Sequence, residues 1–216
     1  MKENIIDTFR CTNHEILYKD LHIDRVVNSF NFFHFLVDVK KILKLYDQIE
    51  IQTPNDRRVR VEFTVKSDFK TEITTSAFQA MPSPVKLTPA LFGQQLSGEG
   101  IGNLKTTDRS YWEKNLRTLP EEALDCDILG LNDQMMVTET SRFNLFVFDG
   151  QQFFTPSLES GCLRGVFREH CFLDDGIMYQ DFKYPLLEKN FSLDELKNYQ
   201  IFVGNSLQGL LPARLS

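Results

Sequence analysis

Apolar positions follow two different rhythms along the first part of the chain. IIDTFR (residues 5–10) and EILY (15–18) flank the turn-forming Cys11-Thr-Asn-His14, which predicts an opening hairpin. From about Asp20 to Tyr46 the rhythm becomes helical. Val26, Phe30, Phe33 and Val37 recur at spacings of four and three, Asp24, Asn28 and Asn31 fall between them, and Asp20 is the expected N-cap. Ile49 and Ile51 then alternate with polar residues before a TPND turn. Val59, Val61, Phe63 and Val65 alternate with Arg60, Glu62 and Thr64, so a half-buried antiparallel pair is expected. TEITTSAFQ (71–79) is a further candidate strand. Pro82, Pro84 and Pro89 crowd the next stretch, and a division into lobes 1–88 and 89–216 is expected there.

The second part opens on GQQLSGEGIGN, glycine-rich but without the GK[ST] ending of a phosphate loop, and read as flexible. LKTTDRSYWEKNLRTL, with Tyr111, Trp112, Leu116 and Leu119, predicts an amphipathic helix. DILGLN and MMVTET read as strands. NLFVF and QQFFTP, joined across Asp149-Gly150, predict a hairpin with a type I′ turn. GCLRGVFREHCFLDD reads as a loop entering a helix, SLDELKN as a short helix capped by Ser192 with Glu195, and YQIFVG as a buried strand.

Composition excludes several classes. A net charge of −6 over 216 residues has the wrong sign for a general nucleic-acid binder, so an anionic ligand needs a local cluster of cations. No apolar run approaches the roughly 20 residues of a membrane span. Cys11, Cys126, Cys162 and Cys171 lie far apart behind a start that lacks a signal peptide's apolar core, which suits reduced thiols in a cytoplasmic protein. Cys162, His170 and Cys171 match no zinc spacing, and no metal site is expected.

Four stretches stand out in order: LHIDR with His22 and Arg25; LKTTDR with Lys105 and Arg109; VTETSRFNLFVFDGQQFFTP with Glu139 and Asn144; and LRGVFR followed by VGNSLQGLLPARL. Together they resemble the fold-type IV pyridoxal-phosphate enzymes, which include branched-chain and D-amino acid aminotransferases and aminodeoxychorismate lyase. The resemblance runs from IIDTFR, similar to the family's E-T-[IV]-R opening, to NSLQGLLPA. It implies an α/β fold of two α+β lobes with the cofactor between them, pyridoxal 5′-phosphate as that cofactor, a small anionic substrate and a homodimer.

The resemblance also implies residue roles. Lys105 would be the Schiff-base lysine, carried by the larger lobe, and Glu139 the carboxylate at the pyridine nitrogen. Arg25, the backbone of Gly165, Val166 and Phe167 at a helix start, and the Ser206 hydroxyl would hold the phosphate; Leu163 would pack on the ring. Thr8 would assist the leaving group, and Arg109 and Arg10 would meet substrate carboxylates. Phe167 stands where transaminases usually carry Thr. Ser110 stands five residues after Lys105 where many branched-chain enzymes place Tyr, which counts against a branched-chain transaminase, while LKTTDRSYW and NSLQGLLPA resemble the lyase domains more closely and imply a lyase that forms 4-aminobenzoate and pyruvate. A class IV aminotransferase acting on a D- or branched-chain amino acid is the alternative, and a non-catalytic binding protein on the same fold is another.

Overall fold

The computed structural model describes residues 4–64, 70–93, 104–120 and 124–216. Contacts divide the chain into two units: Met1–Ala80 with Leu104–Asp108, and Met81–Asn103 with Arg109–Ser216. The division falls before the prolines rather than at 88/89.

In the first unit, alternation builds the sheet. Strands β1 (Ile5–Thr12) and β2 (Glu15–Ile16) form the expected hairpin, followed by helices α1 (Lys19–Phe32) and α2 (Val39–Gln52), then β3 (Arg57–Thr64) and β4 (Lys70–Ala77). The strands pair antiparallel in the order β2-β1-β3-β4. Odd-numbered residues of β1 and β3 face the helices, where Ile5, Phe9, Val59, Val61 and Phe63 pack against Val26, Phe30, Ile42 and Tyr46. Burying each such side chain contributes about 1.5–3 kcal/mol.

The single helix expected over 20–46 is two. His34 takes a left-handed φ of 57°, which ends α1, and the Asp38 side chain accepts from Lys40 N to start α2. Phe33 and Val37 still pack on the same core, which preserves the apolar period across the break. The N-cap of α1 is Tyr18, with no side-chain cap; Asp20 lies in the first turn instead. Ile49 and Ile51 belong to α2, not to a strand, and β3 pairs with β1 and β4.

The second unit contains β5 (Val85–Gly93), α3 (Ser110–Leu116), β6 (Cys126–Asn132), β7 (Val137–Thr140), β8 (Asn144–Phe148), β9 (Phe153–Thr155), α4 (Val166–Leu173), β10 (Ile177–Tyr179), β11 (Phe182–Tyr184), β12 (Leu186–Glu188), α5 (Leu193–Leu196), β13 (Gln200–Asn205) and β14 (Gly209–Leu215). Eight strands run in the order β12-β9-β8-β13-β14-β5-β6-β7. An additional β7–β8 pairing closes six of them, β8-β13-β14-β5-β6-β7, into a ring. Val85, Leu87, Leu129, Leu145, Val147 and Val203 form its core.

Residues 85–89, the second half of the proline-rich stretch where the division into lobes was expected, belong to β5, which is bonded in parallel to β14 and β6. Residues 94–103 of the glycine-rich stretch, and Val65, lie outside the described residues. The Asp149-Gly150 hairpin forms, but among its turn residues only Gly150 takes a positive φ (99°), whereas a type I′ turn needs it at both central positions. The Asp149 carboxylate accepts from Gln151 N and Gln152 N (2.8 and 2.9 Å) and sets the turn instead. Ser192 and Glu195 close the expected capping box of α5. No helix among the described residues is long and apolar enough to cross a membrane.

Candidate active site

The residues singled out by sequence fall into two sets, one in each unit. In the first unit the set is built on β1. The expected helix over 104–119 is confined to α3; residues 104–107 are drawn out alongside β1. Lys105 O accepts from Ile6 N (2.8 Å), Thr107 N donates to Asn4 O (2.9 Å), and Ile5 and Thr106 bridge. These bonds attach Lys105 to the first unit, where the sequence placed it with the larger lobe. Antiparallel register sets Lys105 opposite Ile6, on the even-numbered face of β1 that also carries buried Thr8.

On the opposite face Asp7 is fully buried and surrounded by donors. His22 Nδ1 lies 2.9 Å from Oδ1, the Tyr46 hydroxyl donates to Oδ2 at 2.5 Å, and Arg25 donates through Nη2 to Oδ1. Burial acts to raise the Asp7 pKa, but these donors outweigh it and hold the carboxyl well below the usual carboxylate range. A carboxylate only accepts, so His22 carries its proton on Nδ1. Burial keeps the His22 ring below its ordinary pKa and therefore neutral near pH 7. Arg25, which the resemblance assigns to the phosphate, commits part of its guanidinium to Asp7. Its Nε–H remains buried without an acceptor, and His22 Nε2, the unprotonated ring nitrogen, is buried without a donor. An orphaned guanidinium N–H is the kind of group that an oxyanion satisfies.

In the second unit the set converges on Asn144. Glu139 on β7 pairs with Asn144 on β8, and the Asn144 amide donates to Leu163 O (2.9 Å) and lies 3.5 Å from Glu139 Oε2. Gly165 caps α4 against the same side chain: a Cβ there would sit 1.9 Å from Asn144 Oδ1. Glycine is thus required by close approach, not by backbone angle. Val166 begins α4, whose first-turn N–H groups have no acceptor within the helix.

Phe167 fills the position of the missing hydroxyl with a ring edge-on to Phe146 (5.7 Å) and against Gly204, where a Cβ would meet that ring at 2.8 Å. Buried Ser206 follows β13 on a turn fixed by Asn205 Oδ1, which accepts from Leu207 N and Gln208 N. Leu163 is half-buried, and its carbonyl oxygen also accepts from Gly165 N (2.8 Å). Burial, then the nearby Glu139 charge, pushes the Cys162 thiol up to about 12.

The two arginines assigned to substrate are engaged elsewhere. Arg109 donates through Nη2 to Ser141 O, and Arg10 makes a two-pronged ion pair with Asp56 (2.7 Å each) while stacking 3.9 Å over Phe78. Buried Asp127 was not foreseen. It accepts from Thr140 Oγ1 (2.8 Å) and Ser141 Oγ (2.5 Å) and fixes the β7–β8 corner beside Glu139. Asp7 and Tyr46 were also not foreseen, although one signal was readable: an acid at the odd, core-facing register of β1 has to find a cation.

Comparison with known proteins agrees with this framework. The family model described as amino-transferase class IV matches residues 4–215. Over 106 residues the chain is 36% identical to a Schizosaccharomyces pombe protein provisionally named aminodeoxychorismate lyase; the match covers 48% of this chain and 43% of that one, so the aligned part spans less than half of the relative. A Mesorhizobium loti structure provisionally named an amino-acid aminotransferase superposes with a TM-score of 0.82 at 22% identity, covering 99% of this chain and 100% of that one. The 4-amino-4-deoxychorismate lyase of Pseudomonas aeruginosa superposes with a TM-score of 0.80 at 17% identity, covering 98% and 82%. The chain belongs to the class IV aminotransferase family, whose members are pyridoxal-phosphate-dependent enzymes.

Proposed function

We propose that the protein is a 4-amino-4-deoxychorismate lyase, releasing pyruvate and forming 4-aminobenzoate with bound pyridoxal phosphate, and working as a homodimer. The observation that carries the reading is the 36% identity to the provisionally named yeast lyase. The donor set fits the cofactor. In the first unit Arg25 brings an unsatisfied buried Nε–H that suits a phosphate; in the second, the first turn of α4 from Val166, shaped by Gly165 and continued by Phe167, and the Ser206 hydroxyl are donors that suit one as well. Glu139 suits the ring nitrogen, and Leu163 offers an apolar surface for the ring. When bound, the cofactor supplies an aldehyde that takes up the substrate amine and a ring that accepts the electron pair released at the adjacent carbon.

The chain's own residues do the rest. Lys105 takes the proton from the carbon that bears nitrogen. Glu139 keeps a proton on the ring nitrogen. Thr8 shares a sheet face with Lys105 and donates its hydroxyl hydrogen bond to the departing enol-pyruvate oxygen.

The test is a spectrum and two assays. Purified protein with added cofactor should show a visible absorbance band that Lys105→Ala removes, and should release pyruvate from aminodeoxychorismate without a keto acid. Amino transfer that depends on a keto acid, with no pyruvate released from aminodeoxychorismate, would make it an aminotransferase. A protein that stays colourless is a binding protein on this fold.

A further inference from the structure

The face of the first sheet that carries Lys105 also carries three arginines, and they are unequally engaged. Register places Thr8 opposite Arg60 and Arg10 opposite Arg58, with Arg60 opposite Thr74 and Arg58 opposite Ser76 on the far strand. Lys105 stands opposite Ile6 on the other side of β1. Amine, hydroxyl and two guanidinium groups therefore follow one another across a single face.

Arg10 is closed off by its two bonds to Asp56. Arg60 reaches Glu62 at 3.3 Å, and Glu62 gives its other oxygen to the Asn4 amide (2.7 Å). Arg58 is half-buried, and its guanidinium makes no hydrogen bond or ion pair with any described residue. Its cross-strand neighbours offer a second cation, Arg10, and a hydroxyl, Ser76, neither of which balances the charge. Burial, then the Arg60 charge, lowers its pKa, the direction expected of a guanidinium held without a counter-ion. Like charges set directly across a ladder are destabilising, and an anion bound at Arg58 would relieve that repulsion.

We propose that Arg58, supported by Arg60, is the subsite for a substrate carboxylate, so that the enzyme selects amino substrates with an anionic group remote from the reacting amine over those with apolar side chains. The assignment rests on the reading of Lys105 as the reacting amine. It takes the place of the Arg10 assignment, whose guanidinium is already paired.

The experiment compares wild type, Arg58→Gln and Arg58→Lys as holoenzymes. Each is assayed for KM with aminodeoxychorismate and, independently of turnover, titrated calorimetrically with glutarate as a plain dicarboxylate. Losing one charge-assisted contact should raise KM and weaken glutarate binding about ten- to a hundredfold in Arg58→Gln. Arg58→Lys should recover part of both, and the visible band of the cofactor should persist in all three. Equal glutarate binding by wild type and Arg58→Gln, or no measurable binding by either, overturns the assignment. So does loss of the band in Arg58→Gln, which would make Arg58 a cofactor ligand. A wild type that binds glutarate through Arg58 but releases no pyruvate refutes the lyase reading alone.

Discussion

Replacing Asp7 with asparagine keeps the shape of the side chain, removes the charge that faces Arg25, and turns one acceptor oxygen into a donor. In the native protein Oδ1 takes bonds from His22 and Arg25, and Oδ2 takes the Tyr46 hydroxyl at 2.5 Å. Whichever way the amide turns, an N–H2 group meets a donor. Because Asp7 is fully buried, no water relieves the mismatch. Breaking a buried charge pair by neutralising one partner costs about 3–5 kcal/mol. In a chain of this length each 1 kcal/mol moves Tm by about 2–4 °C, so Asp7→Asn should melt about 6–20 °C below wild type at pH 7, read by circular dichroism.

The pH dependence follows from the same group. A carboxylate whose folded pKa lies below its unfolded value adds stability that is fully present above the unfolded value, about 3.9, and is lost as pH falls towards the folded value. The gap between wild type and Asp7→Asn should therefore be constant from pH 7 to 5 and shrink below about pH 4. A variant within about 2 °C of wild type at pH 7, or a gap that does not change down to pH 3, would refute the account of this cluster.

Two further outcomes test the second unit. Gly165→Ala drives a Cβ into Asn144 Oδ1 and should cost about 1–3 kcal/mol in a denaturant melt, whereas in an Asn144→Ala background the same change should be nearly neutral; additive costs would show that the contact is not the cause. Burial pushes the thiols of Cys162 and Cys171 up to about 12, so at pH 8 an alkylating reagent should modify half-buried Cys126 first and reach the other two only on unfolding; comparable rates for Cys162 and Cys126 would contradict this.

Several strands were readable because one face is buried and the other is not, and a period of two leaves a mark residue by residue. The β3 alternation of Val59, Val61 and Phe63 is the clearest case. The break between α1 and α2 left no such mark. Phe33 and Val37 keep the helical spacing while serving one core from a non-helical connection, and the left-handed turn at His34 has no glycine to announce it. Ile49 and Ile51 mimic a strand, yet only Ile49 is buried; Ile51 is exposed at the end of α2.

For the candidate site, order along the chain pointed to residues but not to their companions. That Leu163 and Gly165 meet Glu139 through Asn144, that Arg25 leans on Asp7, and that Arg10 is already paired depend on contacts 18 to 46 residues apart. Residues 104–107 join β1 through backbone bonds, which no side-chain pattern reports.

One feature of the second sheet bears on how the molecule is assembled. Residues 209–215 are inserted between β13 and β5, so the earliest strand of that unit has no neighbour on one side until the latest one arrives. On a ribosome, β5 through β13 would leave the exit tunnel as an open sheet with two unpaired edges, and only the emergence of β14 would seal them. Pairings of such wide separation are slow and leave edges open to aggregation. Synthesis stalled shortly before residue 209 should yield a chain that chaperones retain, while one completed through residue 215 is released.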